Sequence, residues 1–123
     1  MKKILSLLLI LMTASTLAFE GVREVTLNDG RTILAADNGL TLYTFDVDSP
    51  GQSNCFGGCL TVWPAMTVST DALVEAPFAT HERPDGSLQL MLNDQPLYFF
   101  ISDQAEGDIL GDGLQGVWHI IEL

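Results

Sequence analysis

Apolar and polar residues along this chain fall into short runs, and nearly every run stops at a turn signal. Val22 to Leu27 reads as a strand, followed by Asn28-Asp29-Gly30-Arg31, a hairpin turn because Asp-Gly tolerates positive φ. Thr32 to Ala36 returns, Asp37-Asn38-Gly39 turns again, and Leu40 to Phe45 forms a third strand ending at Asp48-Ser49-Pro50-Gly51. Further on, Phe78 to Glu82 is a weaker strand and Pro84-Asp85-Gly86 turns. Ser87 to Leu92 then alternates, with Leu88, Leu90 and Leu92 on one face. Asn93-Asp94 turns, Pro96 to Ile101 is a third strand, Ser102 to Gly116 is a Gly- and Asp-rich loop, and Val117 to Leu123 closes the chain. No amphipathic helix of useful length is visible, and Cys55 to Val62 has room for one short helical turn.

The two series of elements are one series written twice. Tyr43-Thr44-Phe45-Asp46-Val47-Asp48 returns as Tyr98-Phe99-Phe100-Ile101-Ser102-Asp103, a Tyr-x-Phe-x-x-Asp pattern. The same offset of 55 carries Asn38 to Asn93, Leu42 to Leu97, Gly58 to Gly113, Val62 to Val117 and Trp63 to Trp118. Asp29-Gly30 finds its echo in Asp85-Gly86 after a shift of one residue. Repeat 1 covers about residues 22–70 and repeat 2 about 74–123. Both third strands are apolar on both faces, which marks a central strand. The expected fold is therefore an all-β single domain of two duplicated β-meander units, sandwich- or barrel-like. Its two middle strands are adjacent and related by an internal pseudo-twofold axis.

Residues 1–18 read as a secretory signal. Lys2 and Lys3 are a basic start, Ile4 to Met12 is apolar, and Thr16-Leu17-Ala18 supplies small residues for cleavage. The apolar run is short for a membrane span, which takes about 20 residues. The remaining 105 residues, 19–123, suit one domain; two independent units of about fifty residues would each be marginal. Loss of Lys2 and Lys3 leaves three arginines, Arg23, Arg31 and Arg83, against sixteen acids, so the net charge moves from −11 to −13. That balance argues against nucleic acid and anionic lipid, which are bound through clustered Lys and Arg; solubility alone is the preferred reading of it, and it would also attract cations or a basic partner. Cys55 and Cys59, an even local pair in an exported chain, are expected to form one disulfide worth about 2 kcal/mol. Their spacing is wrong for a Cys-x-x-Cys redox pair or a haem attachment.

Leu42 to Asp48, then Ser53-Asn54-Cys55-Phe56-Gly57-Gly58-Cys59 and Trp63-Pro64, resembles a bacterial family of secreted or lipid-anchored repeat proteins. Pro96 to Asp103, Gly107-Asp108 and Gly116-Val117-Trp118 resembles the family's second repeat. The resemblance spans roughly residues 39–118 and implies export and a duplicated β-rich domain. It carries over no catalytic residues and no established activity. Many members are lipoproteins, whereas no cysteine lies near the cleavage site here. The chain is expected in the periplasm or outside the cell, without membrane insertion after signal cleavage.

Candidate chemistry is sparse. Tyr43 with Asp48 and Tyr98 with Asp103 could serve binding or proton transfer if they converged on a cleft. The structural reading is preferred: Asp48 and Asp103 at strand exits accept local backbone N–H bonds, and loop backbone satisfies the buried tyrosines. Phe45 and Phe100 are structural residues of the repeated motif; Trp63, Trp118, Phe56 and Phe99 fill the core, or the two tryptophans flank one groove and anchor a partner. No metal site is expected. Asp103, Glu106, Asp108 and Asp112 crowd one flexible loop as weak candidates for Ca²⁺, without the EF-hand spacing. His81, His119, Met66 and Met91 are copper-type ligands, but no two are spaced as a motif. There is no nucleophile constellation, phosphate loop or cofactor fingerprint. The expected function is a non-enzymatic binding or interaction module of the cell envelope, without a cofactor, whose partner is an envelope protein or small ligand. The alternative is a metal- or redox-linked periplasmic accessory protein, with a cation at the acidic loop or copper at His and Met.

Overall fold

The computed structural model describes residues 20–123; the signal segment expected over residues 1–18 lies outside the described residues. Each repeat opens with a hairpin. In repeat 1, β1 (Val22–Thr26) pairs antiparallel with β2 (Thr32–Ala36). In repeat 2, β5 (Phe78–Glu82) pairs antiparallel with β6 (Leu88–Leu92). The two turns close identically. Gly30 N–H donates to Leu27 O at 2.9 Å and Gly86 N–H to Arg83 O at 2.8 Å. Both glycines have positive φ, 94° and 89°, a region that other residues enter at a cost.

The third strand of each repeat changes partner halfway, which is why only parts of the expected strands 40–45 and 96–101 are regular. Its first half stays on its own hairpin: Leu42 N–H donates to Leu34 O at 3.2 Å, and Leu97 N–H to Leu90 O at 3.0 Å. Its second half pairs with the other repeat. Tyr43 and Tyr98 exchange both backbone hydrogen bonds, at 2.8 and 3.0 Å. β3 (Tyr43–Phe45) then runs antiparallel to β8 (Trp118–Ile120), which closes repeat 2. Reciprocally, Phe99 N–H donates to Pro64 O at 2.7 Å and Ile101 N–H to Val62 O at 3.0 Å.

The ends of the repeats are exchanged too. β4 (Thr67–Val68), which the sequence reading lacked, adds to β6 of repeat 2, and β7 (Gln95–Pro96) pairs with β6 as well. The chain end adds to β2 of repeat 1, where Leu34 N–H donates to Ile121 O and Leu123 N–H to Thr32 O. Each repeat thus completes the sheet of the other. The domain is all-β and built of several small sheets around a pseudo-twofold axis. Helix among the described residues is limited to α1 (Gly58–Val62) and a 3₁₀ turn at Leu114–Gly116.

Two apolar clusters lie on either side of the middle strands. One joins equivalent residues of both repeats, Leu34 with Leu90, Ala36 with Leu92 and Leu42 with Leu97. The other is aromatic and centred on the axis. Phe45, Trp118, Trp63 and Phe100 stack in that order, with centroids 4.0, 3.8 and 4.4 Å apart. Close parallel stacking sets like-signed ring faces together. The tyrosines offset this with edge-on contacts, Tyr43 to Trp63 and Tyr98 to Trp118, each at 5.2 Å. The column is shut by Gly111, where an added Cβ would lie 2.5 Å from Cη2 of Trp63 and 3.0 Å from Cγ of Phe100.

Three outcomes are expected in urea unfolding. Trp63→Ala and Trp118→Ala each lose about 3–5 kcal/mol, and the double variant loses less than their sum because the rings are in direct contact. Gly111→Ala loses about 1–3 kcal/mol from overpacking. Gly58→Ala, whose Cβ meets open space, stays within about 0.5 kcal/mol of the parent.

Candidate functional site

The repeated Tyr and Asp come together across the repeats, not within them. Tyr43 donates its hydroxyl proton to Oδ2 of Asp103 at 2.6 Å, and Tyr98 donates to Oδ2 of Asp48 at 2.7 Å. The second oxygen of each carboxylate holds its own loop. Oδ1 of Asp48 accepts from Asn54 N–H at 2.7 Å, and Oδ1 of Asp103 from Leu110 N–H at 3.0 Å. Strand pairing puts each tyrosine beneath the opposite repeat's loop, so the sequence-local pairs Tyr43 with Asp48 and Tyr98 with Asp103 are not the bonded ones. Each hydroxyl also accepts a bond. Gly111 N–H reaches Tyr43 at 3.2 Å. Ser53 donates to Tyr98 at 2.6 Å, since the proton of Tyr98 is already engaged by Asp48.

Burial dominates the electrostatics of both pairs. It pushes the hydroxyls of Tyr43 and Tyr98 well above the ordinary tyrosine range, and the adjacent carboxylates reinforce this. Both phenols are therefore neutral donors. Desolvation also raises the carboxyls of Asp48 and Asp103 above 3.8, opposed in part by the hydrogen bonds they accept.

The pseudo-twofold symmetry breaks beside Tyr98. His81, Arg83 and Gln89 of repeat 2 occupy positions where repeat 1 has Val25, Leu27 and Ile33, one residue beyond the offset of 55. Gln89 is fully buried and donates through Nε2 to Leu97 O at 2.9 Å, which turns Oε1 toward two donors. Arg83 Nη1 reaches it at 2.7 Å and His81 Nε2 at 3.1 Å, so His81 carries a proton on Nε2. Arg83 is only 5% exposed, donates to Cys55 O at 2.7 Å and lies under the ring of Phe56, 5.3 Å from its centroid. The set braces the loop closed by the Cys55–Cys59 disulfide. Of the three side chains that replace the apolar triplet, the sequence pointed to His81 as a copper-type ligand and to Arg83 only as a remaining arginine, while Gln89 went unnoticed. The signal for the others was the polar replacement of an apolar triplet between copies.

The surface loses its symmetry at the two ends of the aromatic column. Beyond Phe100, Val62, Ile101 and Leu110 are exposed. Beyond Phe45 lies a cleft of about 270 Å³ lined by Asp46, Asp48 and Asp94, with Phe45, Pro50 and Pro96 as apolar walls. Asp46, at the position corresponding to Ile101, contacts His119 Nε2 at 2.8 Å. Trp63 and Trp118 do not flank this cleft; they are 6% and 2% exposed and face each other in the core.

The acids of the 103–112 loop have separate partners. Asp103 holds Tyr43, and Glu106 pairs with Arg23. Asp108 Oδ2 accepts from the N–H groups of Gln104 and Ala105, which lower its carboxyl below the ordinary value. Asp112 accepts from Ile120 N–H at 3.1 Å. Met66 and Met91 are buried and belong to the core. Among the described residues no three His, Cys, Asp or Glu side chains are grouped to hold a metal ion.

The raised carboxyls set a pH dependence. Asp48 and Asp103 hold protons more tightly folded than unfolded, so their contribution to stability grows as pH falls toward 3.8 and shrinks as pH rises through the folded values. The expected result in calorimetry is a thermal midpoint that climbs as pH falls from 7 toward 3.8. The climb is smaller in the Asp48→Asn/Asp103→Asn variant; equal climbs would refute the assignment to these carboxyls.

Comparison with known proteins places these features in a family. No curated protein and no solved structure matches the chain. No helix among the described residues is long and apolar enough to cross a membrane. The sequence pattern of one family matches twice, over residues 25–67 and 79–122, and each match holds one Tyr–Asp motif and the tryptophan of its repeat, Trp63 in the first and Trp118 in the second. On those two matches the chain belongs to the Lipoprotein_15 family, described as a secreted repeat of unknown function.

Proposed function

We propose that this protein is a non-enzymatic binding module of the cell envelope, exported to the periplasm or beyond, and that it recognises a basic partner at the acidic cleft beside Phe45. One observation carries the reading: Asp46, Asp48 and Asp94 line a single cleft that mixes polar residues with Phe45, Pro50 and Pro96 and has no basic residue in its lining, and of the three acids Asp46 and Asp94 are exposed while Asp48 is held by Tyr98 and Asn54. A lysine or arginine side chain suits such a place, its stem against Phe45 and the prolines and its charge at the rim. The rest of the molecule supports this. All three arginines are engaged internally, Arg23 with Glu106, Arg31 with Asp29 and Glu122, and Arg83 with Gln89 and Cys55 O. The acid excess is therefore left to face solvent and any approaching cation. The repeated tyrosines and aspartates are taken up by one another, which favours a role in holding the scaffold over a role in chemistry.

The test is calorimetric titration with trilysine, with triglycine as control, at low and high salt. Trilysine is expected to bind at low ionic strength and to be displaced by about 0.5 M salt, which screens exposed charges within a few ångströms. Asp46→Asn/Asp94→Asn is expected to bind about tenfold more weakly, two exposed charge contacts being worth up to about 1 kcal/mol each. Equal affinity of parent and variant, or of trilysine and triglycine, would sink the reading.

A further inference from the structure

We infer that the surface joining the two repeats is a pairing surface open to a second copy of this chain: repeat 1 of one molecule can be completed by repeat 2 of another, giving an exchanged dimer. The contacts on the axis require two complementary repeats, and no part of them requires those repeats to be covalently joined. The exchanged backbone bonds of Tyr43 and Tyr98, both Tyr–Asp bonds, the Trp63–Trp118 stack, the β3–β8 and β4–β6 pairings and the Arg83 bond to Cys55 O all run between residues up to 68 and residues from 78 onward. What joins them in one molecule is the segment 69–77, where Leu73 is 90% exposed and Val74 alone packs on the core. The asymmetry also gives the pairing a direction. Arg83 belongs to repeat 2 and its acceptor, Cys55 O, to the loop of repeat 1. Two copies of repeat 2 would put an arginine under a loop without the disulfide. Two copies of repeat 1 would leave that carbonyl facing Leu27. Unlike repeats are thus the matched pair, and a second full chain offers one of each.

Chain length decides which form is made. β6 lies between β4 and β5, with Val68 beside Leu88 and Phe78 beside Leu92. The chain must therefore travel four residues along β6 and two strand spacings across it, about 16 Å in a straight line. Nine residues do this easily. Deleting Thr70 to Glu75 leaves Ser69, Ala76 and Pro77, which reach about 14 Å at full extension. Closure within one molecule then costs at least the Val68–Leu88 pairing, whereas closure between two molecules only requires the two β-edges to approach.

The experiment has two arms on the whole chain. The chain lacking residues 70–75 is sized by light scattering and checked by near-ultraviolet circular dichroism; the expected result is a dimer with the parent's tryptophan signal. A monomer with that signal overturns the inference. The second arm inserts a protease site after Ala72 and cuts two preparations, one isotopically heavy. After joint denaturation and refolding, native mass spectrometry is expected to find light and heavy halves paired in all combinations. Halves that elute apart after cutting, or that do not pair on refolding, overturn the inference even where the shortened chain fails to fold.

Discussion

Two buried tyrosine hydroxyls, each bonded to a carboxylate of the opposite repeat, are the constraint on which this fold depends. A buried hydroxyl without a partner costs about 1–3 kcal/mol, and a desolvated carboxylate without one costs more. Neither repeat can meet both needs, because Tyr43 finds Asp103 and Tyr98 finds Asp48 only across the axis. The same carboxylates fix the loops through Asn54 and Leu110. Those loops lead to Trp63 and Trp118, so the polar pairs and the ring column are set by one placement of the two strands. Dividing the domain would expose the column and strand four polar groups together, which explains why about a hundred residues behave as one unit and not as two.

Duplication gives the scaffold, and divergence of the copies gives whatever is specific. Where both repeats face the axis they have kept matching residues: Leu42 and Leu97, Tyr43 and Tyr98, Trp63 and Trp118. Away from the axis they part. Repeat 2 has a buried His81–Gln89–Arg83 set where repeat 1 is apolar, and the fold accepts either because the set is hydrogen-bonded throughout. At the surface, Asp46 stands where Ile101 stands in the other copy, making one end of the column acidic and the other apolar.

The repeat, the hairpins and the central place of the third strands were legible because each rests on local chemistry: an Asp-Gly turn, an alternating run, an aromatic at a fixed offset. The disulfide was legible from spacing and compartment. What escaped depended on distant partners. Thr67–Val68 is too short and too polar to announce β4, which exists only because β6 of the other repeat offers an open edge. The third strands read as single strands, yet they divide at Tyr43 and Tyr98, where the neighbour changes. The aspartates were legible as turn-orderers, but their other oxygen serves a tyrosine sixty residues away for Asp103 and fifty for Asp48, and no local pattern reports that. The cleft joins two loops, 45–50 and 93–96, that are far apart along the chain.

The exchanged chain end has a consequence for how the molecule is made. Residues 121–123 complete the sheet of β2, and Trp118 completes a column begun by Phe45 and Trp63. A chain that emerges starting at its amino end therefore cannot finish its first half until residues 118–123 are out. Completion of the first repeat thus waits on the second, and a partly emerged chain lacks half of its own core.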